Sequence, residues 1–137
     1  MKLNLFTLAV LIVGVILVGS QVRSVEWTGV RIAGAAIAVV SLALLIVARL
    51  QLGAAFSVRA KAKTLVTAGL YARIRNPIYV FGELLLVGVA MLVGRREILL
   101  LAVALVPVQM VRARKEARVL AAAFGEEYER YKAGTWF

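Results

Sequence analysis

The sequence predicts an all-α, polytopic membrane protein with four transmembrane helices and a C-terminal helix in the cytoplasm. Three observations support this fold class: 63% of the 137 residues are hydrophobic, uncharged runs recur along the chain, and the positive charges cluster between these runs. A soluble domain usually contains about 45–50% apolar residues. The short length, without an internal repeat or a low-complexity linker, favours a single domain over residues 1–137.

The first two uncharged runs are each long enough for a membrane helix. Residues 3–19 and residues 32–48 contain 17 uncharged positions each, near the lower limit of about 17–25 residues for a spanning helix. Trp27 stands where an interfacial aromatic residue is expected, just before the second run. Residues 1–20 also resemble a cleaved signal peptide, but a good small-x-small cleavage site is absent there, which favours the transmembrane interpretation.

The third and fourth runs are predicted to form a tight antiparallel hairpin. Residues 77–94 are interrupted only by Glu83, and the short segment 95–97 joins them to the uncharged residues 98–111. Helix-favouring residues then continue without a stop signal until Gly125. The sequence therefore predicts one long helix that leaves the membrane and continues into water.

The charge distribution predicts which side of the membrane each segment faces. Lys and Arg residues are concentrated in residues 49–76 and 112–137, whereas the opposite side of a four-span topology holds only Arg23, Arg31, Arg95 and Arg96. The more positive side of a membrane protein faces the cytoplasm, so both termini and the 49–76 loop are expected there. Membrane orientation thus accounts for the formal charge of +10, and no nucleic-acid partner is predicted.

The residue types that the sequence lacks exclude several kinds of catalytic and metal-binding site. The chain contains no Cys, His or Asp. Their absence excludes disulfides, a Cys nucleophile, a His general base and His/Cys metal sites, and no metal is predicted. Acid–base catalysis or cation binding would therefore depend on Glu, Tyr or the backbone.

Two polar motifs precede and open the third run. Residues 65–71 read Leu-Val-Thr-Ala-Gly-Leu-Tyr, and residues 75–79 read Arg-Asn-Pro-Ile-Tyr. Asn76 is a favoured N-cap, and Pro77 fits the first position of a helix. Taken alone, these residues indicate a connecting loop and a helix start, although long ordered loops are usually functional. A helix N-terminus also offers free N–H groups and a positive dipole end to a carboxylate.

The long helix after the hairpin has a polar face and ends at a third motif. Gln109, Arg112 and Glu116 are spaced i, i+3 and i+7, so they share one helix face. Without other context this pattern indicates an exposed i,i+4 ion pair that contributes about 0.3–0.5 kcal/mol. The third motif, residues 124–131, reads Phe-Gly-Glu-Glu-Tyr-Glu-Arg-Tyr.

Together the three motifs resemble those of the integral-membrane methyltransferases typified by isoprenylcysteine carboxyl methyltransferase, with the phospholipid methyltransferases as relatives. The resemblance covers residues 59–132. In that family the motifs read Leu-Val-Thr-x-Gly-x-Tyr, Arg-Asn-Pro-x-Tyr followed by Gly, and Glu-Glu followed by Leu and Phe-Gly-x-x-Tyr-x-x-Tyr. This chain departs at two positions: the Gly aligns with Phe81, one residue before Gly82, and the second Glu aligns with Ala117.

The resemblance implies an enzyme that uses S-adenosylmethionine (SAM) as its cofactor and methylates a lipophilic or prenylated acceptor. The SAM-binding region would comprise residues 59–82 and 109–131. The resemblance implies SAM-binding roles for Lys63, Thr64, Leu65, Val66, Gly69, Tyr71, Asn76, Pro77, Ile78, Tyr79 and Glu116. Arg112 aligns with an Arg that contacts the substrate carboxylate, so Arg112 and Glu116 are the candidate catalytic residues. The absence of His favours a carboxylate acceptor, which needs no base, or an amine that is deprotonated before it reacts.

Glu83 keeps other functions open, because a carboxylate within an apolar run is costly and is a functional candidate by default. It is a candidate substrate-binding residue that faces the cofactor cavity, pairs with a basic residue of a neighbouring helix or stays protonated. A small four-helix transporter would use Glu83 as its proton- or cation-coupled site, although this hypothesis does not explain the motifs. A non-catalytic family member is the other alternative, because of Ala117 and the shifted Gly82. The sequence determines neither the acceptor nor the oligomeric state.

Overall fold

A computed structural model describes residues 18–20, 26–53 and 65–136. These ranges contain four long or medium α-helices, with a 3-10 turn at Gly69–Ala72 between the first and the second. The helices are α1 (Gly29–Leu52), α2 (Pro77–Val93), α3 (Arg96–Phe124) and α4 (Glu126–Ala133). Within the described ranges the β-structure is limited to an isolated bridge between Ile74 and Trp136. The all-α prediction is therefore confirmed.

The number of membrane spans is not confirmed. In the described part of the chain, α1 is the helix that is long and apolar enough to cross a membrane. The third predicted span forms α2, which is apolar but has 17 residues. The uncharged residues 98–111 of α3 extend about 21 Å, less than the roughly 30 Å hydrocarbon core. The first predicted span, residues 3–19, lies almost wholly outside the described residues.

Small residues bring α1 and α2 into close antiparallel contact. A Cβ atom added to Gly34 would lie 2.8 Å from the carbonyl oxygen of Gly88, and one added to Gly88 would lie 2.6 Å from the amide nitrogen of Ala38. These neighbours are backbone atoms, so the two helix backbones are almost in contact. Small residues permit such packing in membranes, where helix association depends on van der Waals contact.

The predicted hairpin and the long helix are both confirmed. α2 ends at Gly94, whose positive φ of 73° is the left-handed conformation that Gly adopts readily, and its N–H donates to the Ala90 carbonyl at 2.9 Å. α3 begins two residues later and runs without a break to Phe124, where Gly125 (φ 49°) ends it. One helix thus carries both the apolar residues of the hairpin and the charged residues that follow.

Candidate functional site

The three sequence motifs meet at one end of the helices, which we call the polar end. It comprises the last turn of α1, the turn of residues 65–76, the start of α2, the charged half of α3, and α4 with the tail that follows. Hydrogen bonds between these elements, described below, connect segments that are far apart in the sequence. The three motifs therefore form one structural unit.

α1 fixes the conformation of the first motif. The side-chain Oε1 of Gln51, at the end of α1, accepts a hydrogen bond from the Leu70 amide at 2.8 Å. Gly69 has a φ of 63°, and a Cβ atom at this position would collide with the Gln51 side chain. The backbone conformation therefore favours glycine at position 69, and any larger residue would displace the end of the Gln51 side chain from its hydrogen bond to Leu70. The turn places Tyr71 in the interior, with 6% of its surface exposed.

The C-terminal tail holds the same turn from its other side. The Tyr131 hydroxyl of α4 donates to the Tyr71 carbonyl at 2.8 Å. The Trp136 amide donates to the Arg73 carbonyl at 2.7 Å, and its own carbonyl accepts from the Arg75 amide at 3.2 Å. The C-terminal segment therefore stabilises the turn of residues 65–76 by a side-chain hydrogen bond from Tyr131 and by main-chain hydrogen bonds of Trp136.

The second motif starts α2 as the sequence predicts. Pro77 occupies the first helical turn and is fully buried, and Asn76 stands at the N-cap position. The backbone carbonyl of Asn76 accepts from the amides of Tyr79 and Val80 at 3.1 and 3.2 Å. Its side chain makes no capping hydrogen bond. The expected N-cap position is confirmed, and the Asn76 amide group is not used to cap the helix.

The departure from the family's second motif, at Phe81 and Gly82, has a simple structural account. Phe81, which replaces the expected Gly, is 8% exposed and belongs to the hydrophobic core. A Cβ atom added to Gly82 would have no neighbour within 4 Å. Neither position therefore requires the close backbone approach that only glycine permits.

A hydrogen bond joins the second motif to the polar face of α3. The Tyr79 hydroxyl donates to Oε1 of Glu116 at 2.5 Å. Arg112, one turn before Glu116, is exposed and is an electrostatic neighbour of the Tyr79 hydroxyl. The alternative of an exposed ion pair between Arg112 and Glu116 is not observed, and Glu116 bonds to Tyr79 instead. Two candidate SAM-binding residues are thus in direct contact.

A second hydrogen bond joins α2 and α3 deeper in the hairpin. Nε2 of Gln109 donates to Oε2 of Glu83 at 2.8 Å, and Glu83 is half-buried. Glu83 therefore bonds to a neighbouring helix, but its partner is the Gln109 amide and not the basic residue that was one of the expectations. Gln109 and Glu116 both contact α2, which confirms that these two residues share one face of α3.

Burial keeps two phenols of the polar end protonated. Burial raises the pKa of Tyr71 to about 12, and the nearby Tyr131 phenol adds to the effect. Burial likewise raises the pKa of Tyr131 to about 12, with Tyr128 as the next cause. Both hydroxyls are therefore neutral at physiological pH, and neither supplies a phenolate base.

The structure places most of the predicted site residues at the polar end. Lys63 and Thr64 lie outside the described residues. The predicted residues at the polar end are Leu65, Val66, Gly69, Tyr71, Asn76, Pro77, Ile78, Tyr79, Arg112 and Glu116. The sequence interpretation missed the structural roles of Gln51 and Trp136. The signal at Gln51 was a polar residue three positions after the uncharged run of residues 32–48, whereas the pairing of Trp136 left no pattern in the sequence.

Comparison with known proteins identifies the family. A family model described as phospholipid methyltransferase matches residues 29–127, more than half of the chain. No curated protein and no solved structure shows significant similarity to the chain. The chain therefore belongs to the phospholipid methyltransferase family of integral-membrane methyltransferases, which includes the isoprenylcysteine carboxyl methyltransferases and whose members generally use SAM.

Proposed function

We propose that this member of the phospholipid methyltransferase family transfers a methyl group from SAM to the carboxylate of a lipophilic acceptor. The observation that carries the proposal is the hydrogen bond between Tyr79 and Glu116, with Arg112 beside it. It joins a helix N-terminus, a carboxylate and a guanidinium at one end of the helices. The isoprenylcysteine enzymes of the family are carboxyl methyltransferases, which supports the choice of acceptor group.

The residues of the polar end fit the charges of SAM. Glu116 offers a carboxylate to the positive ammonium and sulfonium groups. Pro77 has no N–H, and the Tyr79 and Val80 amides bond to the Asn76 carbonyl, so the start of α2 offers the Ile78 N–H and a positive dipole end to the carboxylate of the cofactor. The side chain of Asn76, which does not cap the helix, is available to the same ligand. When bound, SAM supplies an electrophilic methyl group on a positively charged sulfur.

Arg112 would orient the acceptor. Its exposed guanidinium can donate paired, charge-assisted hydrogen bonds to a carboxylate. A carboxylate is already ionised at neutral pH, so its oxygen can form the new O–CH3 bond without a general base. The residues therefore need to bind and align the reactants, which is itself a large part of catalysis. The neutral phenols of Tyr71 and Tyr131 are consistent with a reaction that moves no proton.

The proposal includes a multi-pass topology with both termini and the active site in the cytoplasm. Membrane association is supported by the family and by the apolar helix α1. Basic residues concentrate at the polar end, which favours the cytoplasmic side by the positive-inside rule. These described residues are Arg49, Arg73, Arg75, Arg112, Arg114, Lys115, Arg118, Arg130 and Lys132. The acceptor would then enter laterally from the bilayer.

Calorimetry with the detergent-purified protein tests SAM binding. We expect saturable binding by the wild type and a loss of at least tenfold in affinity in Glu116→Ala, because the variant removes a charge-assisted contact. Glu129→Ala is the matched control, since it removes the same charge from an exposed residue of α4 that pairs with Lys132. If a folded wild type does not bind SAM, the proposal is wrong, and transport through Glu83 becomes the leading hypothesis.

Base treatment of the labelled product distinguishes the acceptor groups. Membranes that contain the protein are incubated with SAM that carries a radioactive methyl group, and the lipid extract is treated with alkali. A carboxyl methyl ester releases volatile methanol under these conditions, whereas an N-methyl group is retained. Retention of the label in the lipid would contradict the carboxylate assignment and leave the methyltransferase assignment intact.

A further inference from the structure

Trp136 holds the turn of residues 65–76 with its backbone and exposes its indole. Its amide donates to the Arg73 carbonyl at 2.7 Å, and its carbonyl accepts from the Arg75 amide at 3.2 Å. The Trp136 side chain is 71% exposed, the highest value among the exposed large hydrophobic residues in the described part of the chain. The backbone of Trp136 therefore belongs to the fold, whereas its indole is available to a surface outside the chain.

A short series of hydrogen bonds places Trp136 near the end of α1. Gln51 stands in the last turn of α1 and accepts from the Leu70 amide at 2.8 Å. The Leu70 carbonyl accepts from the Ile74 amide at 3.0 Å, and Ile74 forms the isolated bridge with Trp136. Because α1 is long and apolar enough to cross a membrane, its end marks the boundary between hydrocarbon and water. Trp136 therefore lies close to that boundary.

The residue types at this point suit the headgroup layer of a bilayer. Tryptophan is enriched at membrane–water interfaces, because its ring is apolar and its N–H is polar. Arg73, whose carbonyl accepts the hydrogen bond from Trp136, is exposed, so a cationic residue adjoins the indole in the fold. Arginine can lay its apolar stem along apolar surface and keep its charged group at the polar boundary. Both residues therefore match the chemistry of phospholipid headgroups and the chains beneath them.

We propose that Trp136 docks in the phospholipid headgroup layer, and that this anchor holds the turn of residues 65–76 against the end of α1. The occupant of the exposed surface is thus the bilayer itself, and not a reactant. The docking does not depend on the proposed function. Its consequence for SAM binding rests on the proposed function, because the same turn carries Gly69 and Tyr71 of the proposed SAM site.

The tail after α4 transmits the effect of docking to the turn. Oγ1 of Thr135 donates to the Tyr131 carbonyl at 3.2 Å, which ties the tail to the last turns of α4. The Tyr131 hydroxyl and the Trp136 backbone then bond to the turn at separate points. A docked indole restricts the motion of the tail, and these bonds restrict the motion of the turn. A ligand that meets an ordered turn loses less conformational entropy when it binds.

Intrinsic fluorescence tests the docking, because the chain has 2 Trp residues, Trp27 and Trp136. In Trp27→Phe the single emitter is Trp136. The variant is placed in phosphatidylcholine nanodiscs whose lipids carry bromine either near the headgroup or near the chain ends. The control is Ala122→Trp in a chain that also carries Trp27→Phe and Trp136→Phe. Ala122 is exposed and lies about 16 Å beyond Val111, the last uncharged residue of its run, along the axis of α3.

We expect bromine near the headgroup to quench Trp136 about twofold or more strongly than bromine near the chain ends, because the indole lies at the interface. Neither lipid should quench the tryptophan of the Ala122→Trp control. Amide hydrogen exchange of residues 70–76, measured in nanodiscs without SAM, should be about three- to tenfold faster in Trp136→Ala than in the wild type. Trp27→Ala should leave this exchange unchanged, since Trp27 is 59% exposed and precedes the opposite end of α1.

Three outcomes would overturn the inference. Protection of Trp136 from both brominated lipids would show that the indole faces water. Quenching of Trp136 by added SAM, without quenching by brominated lipid, would assign the indole to the cofactor site. Equal exchange of residues 70–76 in Trp136→Ala and the wild type would refute the link between the anchor and the turn.

SAM calorimetry in the same nanodiscs separates this inference from the proposed function. Trp136→Ala should weaken SAM binding about three- to tenfold, because the turn is less ordered before the ligand binds. An unchanged affinity would refute the consequence for SAM. A wild type whose Trp136 is quenched as expected, but which does not bind SAM, would support the docking and contradict the proposed function.

Discussion

Gly88 lies at the closest approach of α1 and α2, and Gly88→Ala is expected to destabilise the protein strongly. The added Cβ would lie 2.6 Å from the Ala38 amide nitrogen and 2.9 Å from both the Ala38 Cα and the Gly34 carbonyl oxygen. All three neighbours are backbone atoms. No side-chain rotation relieves such contacts, so the two helices must separate.

The magnitude follows from two opposing effects. Inserting a methyl group into a well-packed interior costs about 1–3 kcal/mol, and backbone contacts place this substitution near the upper value. Alanine in place of glycine stabilises a helix interior by about 1 kcal/mol. We therefore expect a net loss of about 2 kcal/mol in the free energy of unfolding, which lowers the folding equilibrium constant about 30-fold.

Gly82→Ala is the matched control in the same helix. A Cβ atom at position 82 would have no neighbour within 4 Å, so the variant should be as stable as the wild type or up to about 1 kcal/mol more stable. Denaturant titration of the detergent-solubilised proteins, followed by far-ultraviolet circular dichroism, gives the three free energies of unfolding. If Gly88→Ala is as stable as Gly82→Ala, the close α1–α2 contact is wrong.

Two further predictions concern the polar end. Gly69→Ala should weaken SAM binding at least fivefold in calorimetry. The substitution strains a residue with φ of 63° and displaces Gln51 from its hydrogen bond to Leu70. Unchanged binding would refute the role of this turn. Tyr131→Phe should lower the thermal stability at neutral pH and flatten its alkaline decline. Burial raises the Tyr131 pKa from 10.0 to about 12, so this phenol's contribution is complete below pH 10.0 and is lost as the pH approaches 12. Equal alkaline slopes in variant and wild type would contradict this account.

Sequence reasoning succeeded where local chemistry determines local structure. Gly125 was expected to end a helix, and it has a positive φ that glycine adopts without strain. Pro77 likewise marks the start of α2, because its missing N–H and fixed φ suit the first turn. In each case one residue type is sufficient to set the backbone conformation.

Contacts between distant segments were less predictable. The carboxylate of Glu83 was expected to pair with a neighbouring helix, but helix periodicity does not identify the partner, and an amide satisfies it as well as a cation does. The bridge between Ile74 and Trp136 uses backbone groups, which every residue has, so side-chain patterns do not reveal it. The count of four spans is not confirmed, because within the described residues only α1 is long and apolar enough to cross a membrane.

Two side-chain hydrogen bonds explain why motifs so far apart in sequence belong together. Tyr79 to Glu116 spans 37 positions and joins α2 to α3, whereas Tyr131 to Tyr71 spans 60 positions and joins α4 to the turn. Each bond has a tyrosine hydroxyl as the donor, and each tyrosine belongs to a motif. The first of these donors touches the carboxylate proposed to bind SAM, and the second supports the turn behind it. The motif tyrosines therefore assemble the polar end, and its chemistry depends on the acidic and basic residues that they bring into position.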